Sequence, residues 1–420
     1  MARKMKDSGI EWIGEIPEGW EVTKIKHIVS SVTDIDHFIP DSVESGIPYL
    51  MIGNLKDLSS SIDWDSSKKI SIEDYKKLSI KSRPQKGDII FARYASIGTT
   101  CYIDTDRDFL VSYACLTIHP SDLIIGKFLS YYLKSSSFAE DVLRRTNSNT
   151  QGNVGKDSLV NATIVLPSII EQTQIVNFLE AKCSDINAML SKTRSSIEEY
   201  KKLKQAVITQ AVTKGVRGER ETKDSGVEWI GEINHRFSLI KLKYICSILD
   251  QYRKPISADK RSQSGSVLYD YYGASGVIDK IDDYTIDDHV MLIGEDGANL
   301  RMRNLPLMYE VNGKAWINNH AHILKPTERV DFYYLFYALE GLDINPYITG
   351  SAQPKLSQEK LQNIWVLLPD LEEQQEIATY IRSKCAEIDK LIAKKEQLVK
   401  ELESYKKSLI YEVVTGKMEV

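Results

Sequence analysis

Two long stretches of the chain place apolar residues at alternating intervals of three and four positions. This average spacing of 3.5 residues is typical of helices that pack along one another in a coiled coil. Both stretches follow a Leu-Pro pair and open with glutamates, as the N-terminus of a helix prefers. The pattern predicts two helices, within residues 167–215 and 369–420, each about 60 Å long at a rise of 1.5 Å per residue.

The two apolar seams match in their imperfections as well as in their spacing. Adding 202 to each position of the first seam gives the second, and a polar side chain interrupts the series at Thr193 and Lys204 and again at Lys395 and Lys406. Two ordinary amphipathic helices, each packed on its own domain, would not need matching interruptions, so we expect one helix to lie against the other. The seam positions are Val176, Leu179, Cys183, Ile186, Leu190, Thr193, Ile197, Tyr200, Lys204 and Val207, and then Ala378, Ile381, Cys385, Ile388, Ile392, Lys395, Val399, Leu402, Lys406 and Leu409.

A tandem duplication explains this match. The segment Lys6-Asp-Ser-Gly-Ile-Glu-Trp-Ile-Gly-Glu-Ile16 returns at residues 223–233 with ten of its eleven positions identical. A weaker repeat begins at Leu166-Pro and returns at Leu368-Pro, where the two helical segments start. The residues between these repeats have diverged. Each copy therefore combines a divergent globular part with a shared helical part.

The divergent parts mix short apolar runs with helical patterns, which predicts an α+β protein with two mixed domains. Strands are predicted at residues 88–92, 111–118, 162–166, 290–293 and 364–368, and helices at residues 127–143 and 331–339.

Composition narrows the class of protein. Among the 420 residues there is no apolar run of about 18 positions, so we expect a soluble, cytoplasmic protein. The five cysteines form no Cys-x-x-Cys pair and no zinc-like cluster, so reduced thiols are expected. Lysine and arginine total 54 against 59 aspartates and glutamates. The resulting net charge of -5 argues against a globally basic nucleic-acid binder but allows local basic loops.

The motifs of common enzymes are missing from the sequence. It contains no GxxxxGK[ST] phosphate loop, no HExxH, no GxSxG and no Asn/Asp-Pro-Pro-aromatic signature of adenine methyltransferases. The adjacent carboxylates Asp287 and Asp288 are interpreted as a solvated turn, and His320 and His322 as structural residues of a strand. We therefore predict that the chain catalyses no reaction alone.

Both divergent parts contain loops that combine arginine or lysine with amide, hydroxyl and small side chains. Such side chains read base edges and hold phosphates in protein–DNA complexes. Gln151 and Gln353 are separated by the same 202 residues as the helices, which favours an equivalent role for their two loops. The candidate contacts are Arg93, Tyr94, Ser96, Arg144, Asn147, Gln151, Asn153 and Lys156 in the first part, and Asn299, Arg301, Arg303, Asn304, Gln353 and Lys355 in the second.

The alternation of divergent domain and heptad helix, repeated twice, resembles the specificity subunits of type I restriction-modification systems. The resemblance covers essentially the whole chain. It rests on the two Lys-Asp-Ser-Gly-x-Glu-Trp-Ile-Gly-Glu-Ile segments, the loop Gly350-Ser-Ala-Gln-Pro-Lys-Leu356 and the Glu-Gln-rich starts of the long helices. It implies that residues 1–166 and 216–368 are target recognition domains, each reading one half of a bipartite, asymmetric DNA sequence. It also implies that the spacer helices of residues 167–215 and 369–420 are antiparallel, related by a pseudo-twofold axis, and set the distance between the halves.

The same resemblance implies partners and cofactors. Two methyltransferase (modification) subunits would bind S-adenosylmethionine and methylate adenine, and restriction subunits would translocate double-stranded DNA with ATP and Mg and cut it. No cofactor, metal or membrane is expected on this chain itself. The first domain has Gln-Gly-Asn-Val where the second has Gln-Pro-Lys-Leu, so a phosphate contact is less expected for Asn153 than for Lys355.

Two alternatives from other classes remain open at this point. One is a stand-alone nuclease or methyltransferase with an unrecognised site, and the other is a coiled-coil scaffold with two ligand-binding domains. Methyl transfer by the isolated chain would favour the first. A lack of salt-dependent DNA binding once partners are added would favour the second.

Overall fold

The chain forms two compact units, which we call unit 1 and unit 2. Unit 1 consists of Met1–Thr193 together with Gln397–Val420, and unit 2 is Arg194–Glu396. The computed structural model describes residues 3–94, 97–145, 154–218, 221–261 and 267–420.

Unit 1 builds four small sheets from the short strands of its described residues. The strands are β1 Met5–Asp7, β2 Glu15–Pro17, β3 Glu21–Lys24, β4 Val29–Thr33, β5 Ile47–Leu50, β6 Lys68–Ile70, β7 Ile89–Ala92, β8 Thr100–Tyr102, β9 Leu110–Val111, β10 Cys115–Pro120 and β11 Thr163–Leu166. The sheet orders are β1-β2, β11-β3, β6-β5-β9 and β4-β10-β7-β8. The helices are α1 Ile72–Leu78, α2 Gly126–Leu133, α3 Ser136–Arg145, α4 Lys156–Asn161 and the first part of α5, which spans Ile169–Lys214.

The described residues of unit 2 form one large sheet and two small ones. Its strands are β12 Thr222–Asp224, β13 Glu232–Asn234, β14 Ser238–Lys241, β15 Cys246–Ile248, β16 Tyr269–Gly273, β17 Gly276–Ile281, β18 Ile286–Gly294, β19 Met308–Ile317, β20 Ala321–Pro326 and β21 Trp365–Leu368. The sheet orders are β12-β13, β14-β21 and β15-β20-β18-β19-β16-β17. The helices are α6 Asn299–Met302, α7 Phe332–Gly341, α8 Gln358–Gln362 and the first part of α9, which spans Leu371–Val414.

Strands β7 and β18 lie inside a sheet, and all of β7 and residues 290–294 of β18 are buried on both faces. Because successive side chains of a strand point to opposite faces, Ile89 and Phe91 enter one apolar core of unit 1 whereas Ile90 enters another. In unit 2, Ile293 and Leu292 are divided between two cores in the same way. Such strands are continuous apolar runs, which explains why both could be predicted from the sequence.

The ends of the long helices carry recognisable capping residues. Ser168 Oγ accepts a hydrogen bond from Glu171 N at 3.3 Å, and the Glu171 carboxylate accepts one from Ser168 N at 3.2 Å, which is a capping box at the start of α5. Asp370 caps α9 by accepting a backbone N–H three residues on, at 2.8 Å. Both helices are followed by glycines in the left-handed conformation, Gly215 with φ 80° and Gly416 with φ 73°.

Within each unit, the segments of α5 and α9 pack against each other. In unit 2, Lys204 donates to Asp389, and Lys395 lies over the ring of Tyr200. Residue numbers therefore rise along one helix while they fall along the other, so the packing is antiparallel. In unit 1, apolar side chains of both helices share one core with the sheet. The predicted fold class, mixed α and β with two long antiparallel helices, is confirmed.

Two predicted elements are wrong in their extent. The single helix predicted at 127–143 is divided into α2 and α3, because the Ser135 hydroxyl donates to Tyr132 O at 2.6 Å and accepts from Phe138 N at 3.3 Å, which ends one helix and caps the next. The single strand predicted at 111–118 is likewise interrupted between β9 and β10 by a turn.

The interpretation of Asp287 and Asp288 as a turn is wrong. Both lie in β18, and Asp288 forms an ion pair with Lys325 of the neighbouring strand β20. Charged side chains are tolerated at this end of the strand because they remain partly in water. His322, in β20, is buried and fully hydrogen-bonded, in agreement with a structural role.

All five cysteines lie in the described ranges, where they are buried and form no disulfide. None of the helices in these ranges combines the length and apolarity that a membrane span requires. The same residues contain no group of three or more His, Cys, Asp or Glu arranged to hold a metal ion.

Candidate nucleic-acid interface

The predicted contact residues of unit 2 come together where two loops lie side by side. One loop follows β18 and contains α6, and the other, which we call polar loop 2, is residues 349–356. Leu356 N donates to Glu295 O at 2.7 Å, and the Arg301 guanidinium donates to Gly350 O at 3.3 Å. Two loops that the sequence predicts separately therefore form one surface.

Polar loop 2 is a tight hairpin. Thr349 N donates to Lys355 O at 2.9 Å, and Lys355 N donates to Thr349 O at 2.8 Å. At the tip, Gly350 has φ 79°, and a Cβ atom there would lie 2.4 Å from Gln353 O, so glycine is required. Gln353 is exposed beside this turn. The hairpin thus presents an amide and an ammonium group to solvent from a fixed backbone.

Lys355 and Arg301 supply the positive charge of this surface. Lys355 Nζ lies 3.0 Å from Glu295 Oε1, but 54% of the side chain stays exposed. Arg301 and Asn304 are also exposed. An exposed ammonium and guanidinium can bind phosphate oxygens, and a guanidinium can also donate two hydrogen bonds to a guanine edge.

Asn299 and Arg303 face their own unit. The Asn299 amide closes the loop after α6 by accepting from Leu305 N at 2.8 Å and donating to Pro306 O at 3.1 Å. Arg303, in the left-handed conformation with φ 52°, donates to Leu342 O at 3.2 Å. Their assignment as DNA contacts stays a prediction, and these bonds give both residues a structural role as well.

Arg303 also approaches the buried Glu340 carboxylate, at 3.5 Å. Burial raises the pKa of Glu340, although Arg303 and two backbone N–H groups oppose this effect. The end of α7 is therefore tied to the loop after α6.

A buried charged cluster lies beneath polar loop 2. Glu295 forms an ion pair with Arg253, whose guanidinium also lies 3.1 Å from Asp250. His322, 1% exposed, places Nδ1 2.6 Å from Asp250 and Nε2 2.8 Å from Leu356 O. Since a carbonyl oxygen only accepts, Nε2 carries the hydrogen of that bond. The large sheet and polar loop 2 are thus joined through His322 of β20 and through Asp250 and Arg253, which follow β15.

The carboxyl of Glu295 stays ionised in this cluster. Burial alone would raise its pKa, but hydrogen bonds from Arg253 and Lys355 outweigh burial and leave the pKa below its usual value. Polar loop 2 is therefore held partly by the attraction between the Glu295 carboxylate and the Lys355 ammonium.

In unit 1, Arg93 occupies the corresponding place directly after β7. Its guanidinium donates to the Asp34 carboxylate at 3.1 Å and is 14% exposed. Arg93 O accepts from Val154 N at 3.0 Å, in the described part of the loop that precedes α4. Tyr94 is 44% exposed, with its ring 5.9 Å from the guanidinium of Arg93. The structure thus brings Arg93 and Tyr94 close to this loop.

Arg144 and Lys156 lie on helices. Arg144, in the last turn of α3, pairs with Glu140 at 2.9 Å and Glu11 at 3.1 Å, and its guanidinium lies 4.7 Å from the ring of Trp12. Lys156 is the exposed first residue of α4. Four further candidates, Ser96, Asn147, Gln151 and Asn153, lie outside the described residues.

Sequence reasoning missed the residues beneath the loops. Glu295, Arg253 and Asp34 were not among the candidates, because carboxylates rarely signal contact with DNA and the partners are distant in the chain. One signal was present: Arg93 and Glu295 are separated by 202 residues, as Gln151 and Gln353 are.

Comparison with known proteins gives a consistent result. The profile of the family described as type I restriction modification DNA specificity domain matches residues 17–199 and 235–402. A protein of Methanocaldococcus jannaschii provisionally named type I restriction enzyme MjaX specificity subunit is 27% identical, with 97% of this chain and 96% of that protein covered. The MjaVIII specificity subunit of the same organism is 24% identical, covering 96% and 94%.

One solved structure shares the fold. It is described as showing the structural basis of complex assembly and conformational transition of the type I R-M system. The two structures match with a TM-score of 0.71 and 16% sequence identity, over 96% of this chain and 99% of that chain. Since the family profile matches two segments that together cover most of the sequence, the resemblance seen in the sequence is confirmed, and the chain belongs to the family of type I restriction-modification specificity subunits.

Proposed function

We propose that this chain reads a bipartite, asymmetric target in double-stranded DNA, with one half read by each divergent part. A few base contacts worth about 1–3 kcal/mol each give limited discrimination. Two linked readers multiply their discrimination, because binding of the first half raises the effective concentration of the second reader at its own half.

One observation carries this proposal. Both units place a polar loop against the end of an interior strand through backbone bonds in equivalent positions, Val154 N to Arg93 O and Leu356 N to Glu295 O. In unit 2 the result is a surface with exposed arginine, lysine, asparagine and glutamine side chains. Two similar frames that carry different side chains suit the recognition of two different half-sites.

We further propose that the chain directs other subunits and is not catalytic alone. Two methyltransferase subunits would supply S-adenosylmethionine and adenine methylation, and restriction subunits would supply ATP- and Mg-dependent translocation and cleavage, in the cytoplasm. The net charge of -5 supports this division, because much of the non-specific phosphate affinity would then come from partners.

The test is to express the chain with the methyltransferase subunits of its own system in a host that lacks adenine methylation. Methylation-sensitive sequencing should then find methyladenine in one asymmetric motif with two specified halves and an unspecified spacer. Cells that express the methyltransferase subunits without this chain are the control. Methylation without sequence preference, or methyl transfer by the purified chain alone, would contradict the proposal.

A further inference from the structure

Arg93 and Glu295 occupy equivalent places in the two units. They lie 202 residues apart. Arg93 directly follows the interior strand β7, and Glu295 directly follows the interior strand β18. The strand register agrees. Phe91 of β7 is paired with Leu116 of β10, and Ile293 of β18, which is 202 residues from Phe91, is paired with His322 of β20. Two unlike charged residues therefore occupy one position of the duplicated fold.

Their ion-pair partners also come from equivalent strands. Asp34 directly follows β4, which is paired with β10 at Pro120, and Arg253 follows β15, which is paired with β20 at Pro326. In unit 1 the interior strand supplies the cation and the neighbouring segment supplies the anion. In unit 2 these roles are reversed. The duplication has kept an ion pair at this place and changed its polarity.

Each pair adjoins a backbone bond to a loop, which is the loop before α4, at its described residue Val154, in unit 1 and polar loop 2 in unit 2. The backbone carbonyls of Arg93 and Glu295 accept the hydrogen bonds of Val154 and Leu356, which are also 202 residues apart and are 1% and 0% exposed. The side chains of Arg93, Arg253 and Glu295 are at most 17% exposed. Removing Asp34, Arg253 or Glu295 would leave a partner charge with little access to water, and nearby backbone would have to move to expose it.

From these observations we infer that Arg93–Asp34 and Glu295–Arg253 are positioning pairs of opposite polarity, each of which fixes the polar loop of its own unit and so controls recognition of one half of the target. This inference rests on the proposed function. The pairs act through the loops and do not themselves need to contact DNA.

Unit 2 adds a second connection that is missing among the described residues of unit 1. Glu295 accepts from Lys355 of polar loop 2, and His322 donates to Leu356 O, whereas Leu116 is the apolar residue at the equivalent position of β10. The loop of unit 2 is thus connected to its sheet at more points than the described part of the unit 1 loop. Loss of Glu295 would also remove the ion-pair partner of the Lys355 ammonium.

The experiment uses the full chain bound to its methyltransferase subunits. Once the motif is known from sequencing, fluorescence anisotropy gives the affinity for three duplexes: the intact target, and targets with either half scrambled. The variants are Glu295→Arg and Arg253→Glu for unit 2 and, for unit 1, Arg93→Glu, Asp34→Arg and the double variant with both unit 1 changes. The charges are not exchanged in unit 2, because Lys355 and Asp250 would then each lie beside a like charge. Asp288→Arg, which reverses a charge in the more exposed Asp288–Lys325 pair, is the matched control.

Each single variant should lower affinity for the intact target at least tenfold and abolish discrimination at one half, leaving discrimination at the other half unchanged. Unit 1 and unit 2 variants should affect different halves. The unit 1 double variant should recover to within about threefold of the wild type, because the pair is restored with its polarity exchanged. The control should behave as the wild type. A general structural role would instead affect both halves together.

Glu295→Gln is the second variant, in case charge reversal prevents folding. Its amide keeps the size of the side chain and loses the charge, so it should still lose discrimination at the unit 2 half. Unchanged discrimination in this variant, equal loss at both halves, or a folded unit 1 double variant without recovery would overturn the inference. A wild-type complex without any sequence preference would overturn the proposed function instead, and that result is seen before any variant is made.

Discussion

Lys204 of α5 donates to both carboxylate oxygens of Asp389 in α9, at 2.7 and 2.8 Å. Adding 202 to Lys204 and subtracting 202 from Asp389 gives the second contact of this kind, in unit 1, where Lys406 Nζ donates to Asn187 Oδ1 at 2.9 Å. The same polar interruption of the seam is therefore satisfied in both units by the opposite helix. Lysine persists at an otherwise apolar seam position because its ammonium has a partner there.

Asp389→Asn should weaken the helix contact of unit 2 by removing the charge that faces Lys204. We expect the free energy of unfolding to fall by about 0.3–1 kcal/mol, as for other solvent-exposed ion pairs, with a smaller loss in 1 M salt. The measurement is urea denaturation at low and high salt. The mirror change, Asn187→Asp, should give a smaller gain, since Asp57 already lies 4.0 Å from Lys406. An equal effect of Asp389→Asn at both salt concentrations would contradict an electrostatic contact.

Arg301→Ala and Lys355→Ala should weaken DNA binding in different ways. If Arg301 reads a base, its loss should cost about 1–3 kcal/mol and relax preference at one position of one half-site. If Lys355 holds phosphate, its loss should weaken all sequences alike and lower the dependence of affinity on salt. Binding titrations at several salt concentrations separate the two. Lys280→Ala, an exposed lysine of β17, is the control, and unchanged binding in both loop variants would show that the surface is assigned wrongly.

Unit 2 should lose stability in acid through Glu295. Its pKa in the folded protein lies below the usual 4.5, so its contribution is complete above pH 4.5 and is lost as the pH falls through the folded pKa. Glu295→Gln should therefore be less stable than the wild type at pH 7, and this difference should shrink towards pH 3. Denaturation midpoints between pH 3 and pH 7 measure it. Glu359→Gln, an exposed carboxylate in α8, is the control, and a pH-independent difference for Glu295→Gln would contradict the charge argument.

The cysteines should be unreactive in the folded protein. Burial raises the pKa of the Cys101, Cys115 and Cys246 thiols to about 12, and that of Cys385 to about 11. Since the thiolate is the reactive form, reaction with a disulfide reagent at pH 8 should be at least about a hundredfold slower than for a free thiol. All five thiols should react after denaturation. A Ser66→Cys variant supplies an exposed thiol for comparison, and fast native reaction of more than that one thiol would refute the prediction.

The sequence predicts the long helices and the interior strands well, because their patterns are periodic or continuously apolar over many residues. It does not predict the division at Ser135, where one hydroxyl ends a helix and starts another. Nor does it predict the ion pairs beneath the loops. Asp34 and Arg93, or Arg253 and Glu295, are brought together by strand pairing, and no local pattern links residues that far apart in the chain.

These ion pairs would limit where this gene could recombine with a homologue whose pair had the opposite polarity. Both members of each pair lie within one divergent segment, so an exchange of the entire segment transfers a matched pair. A crossover between codons 34 and 93 with a homologue of opposite polarity would instead place two like charges together below the loop. Viable crossovers should therefore accumulate in the repeated sequences that flank the divergent segments. We expect the two homologous genes to be similar enough to align there.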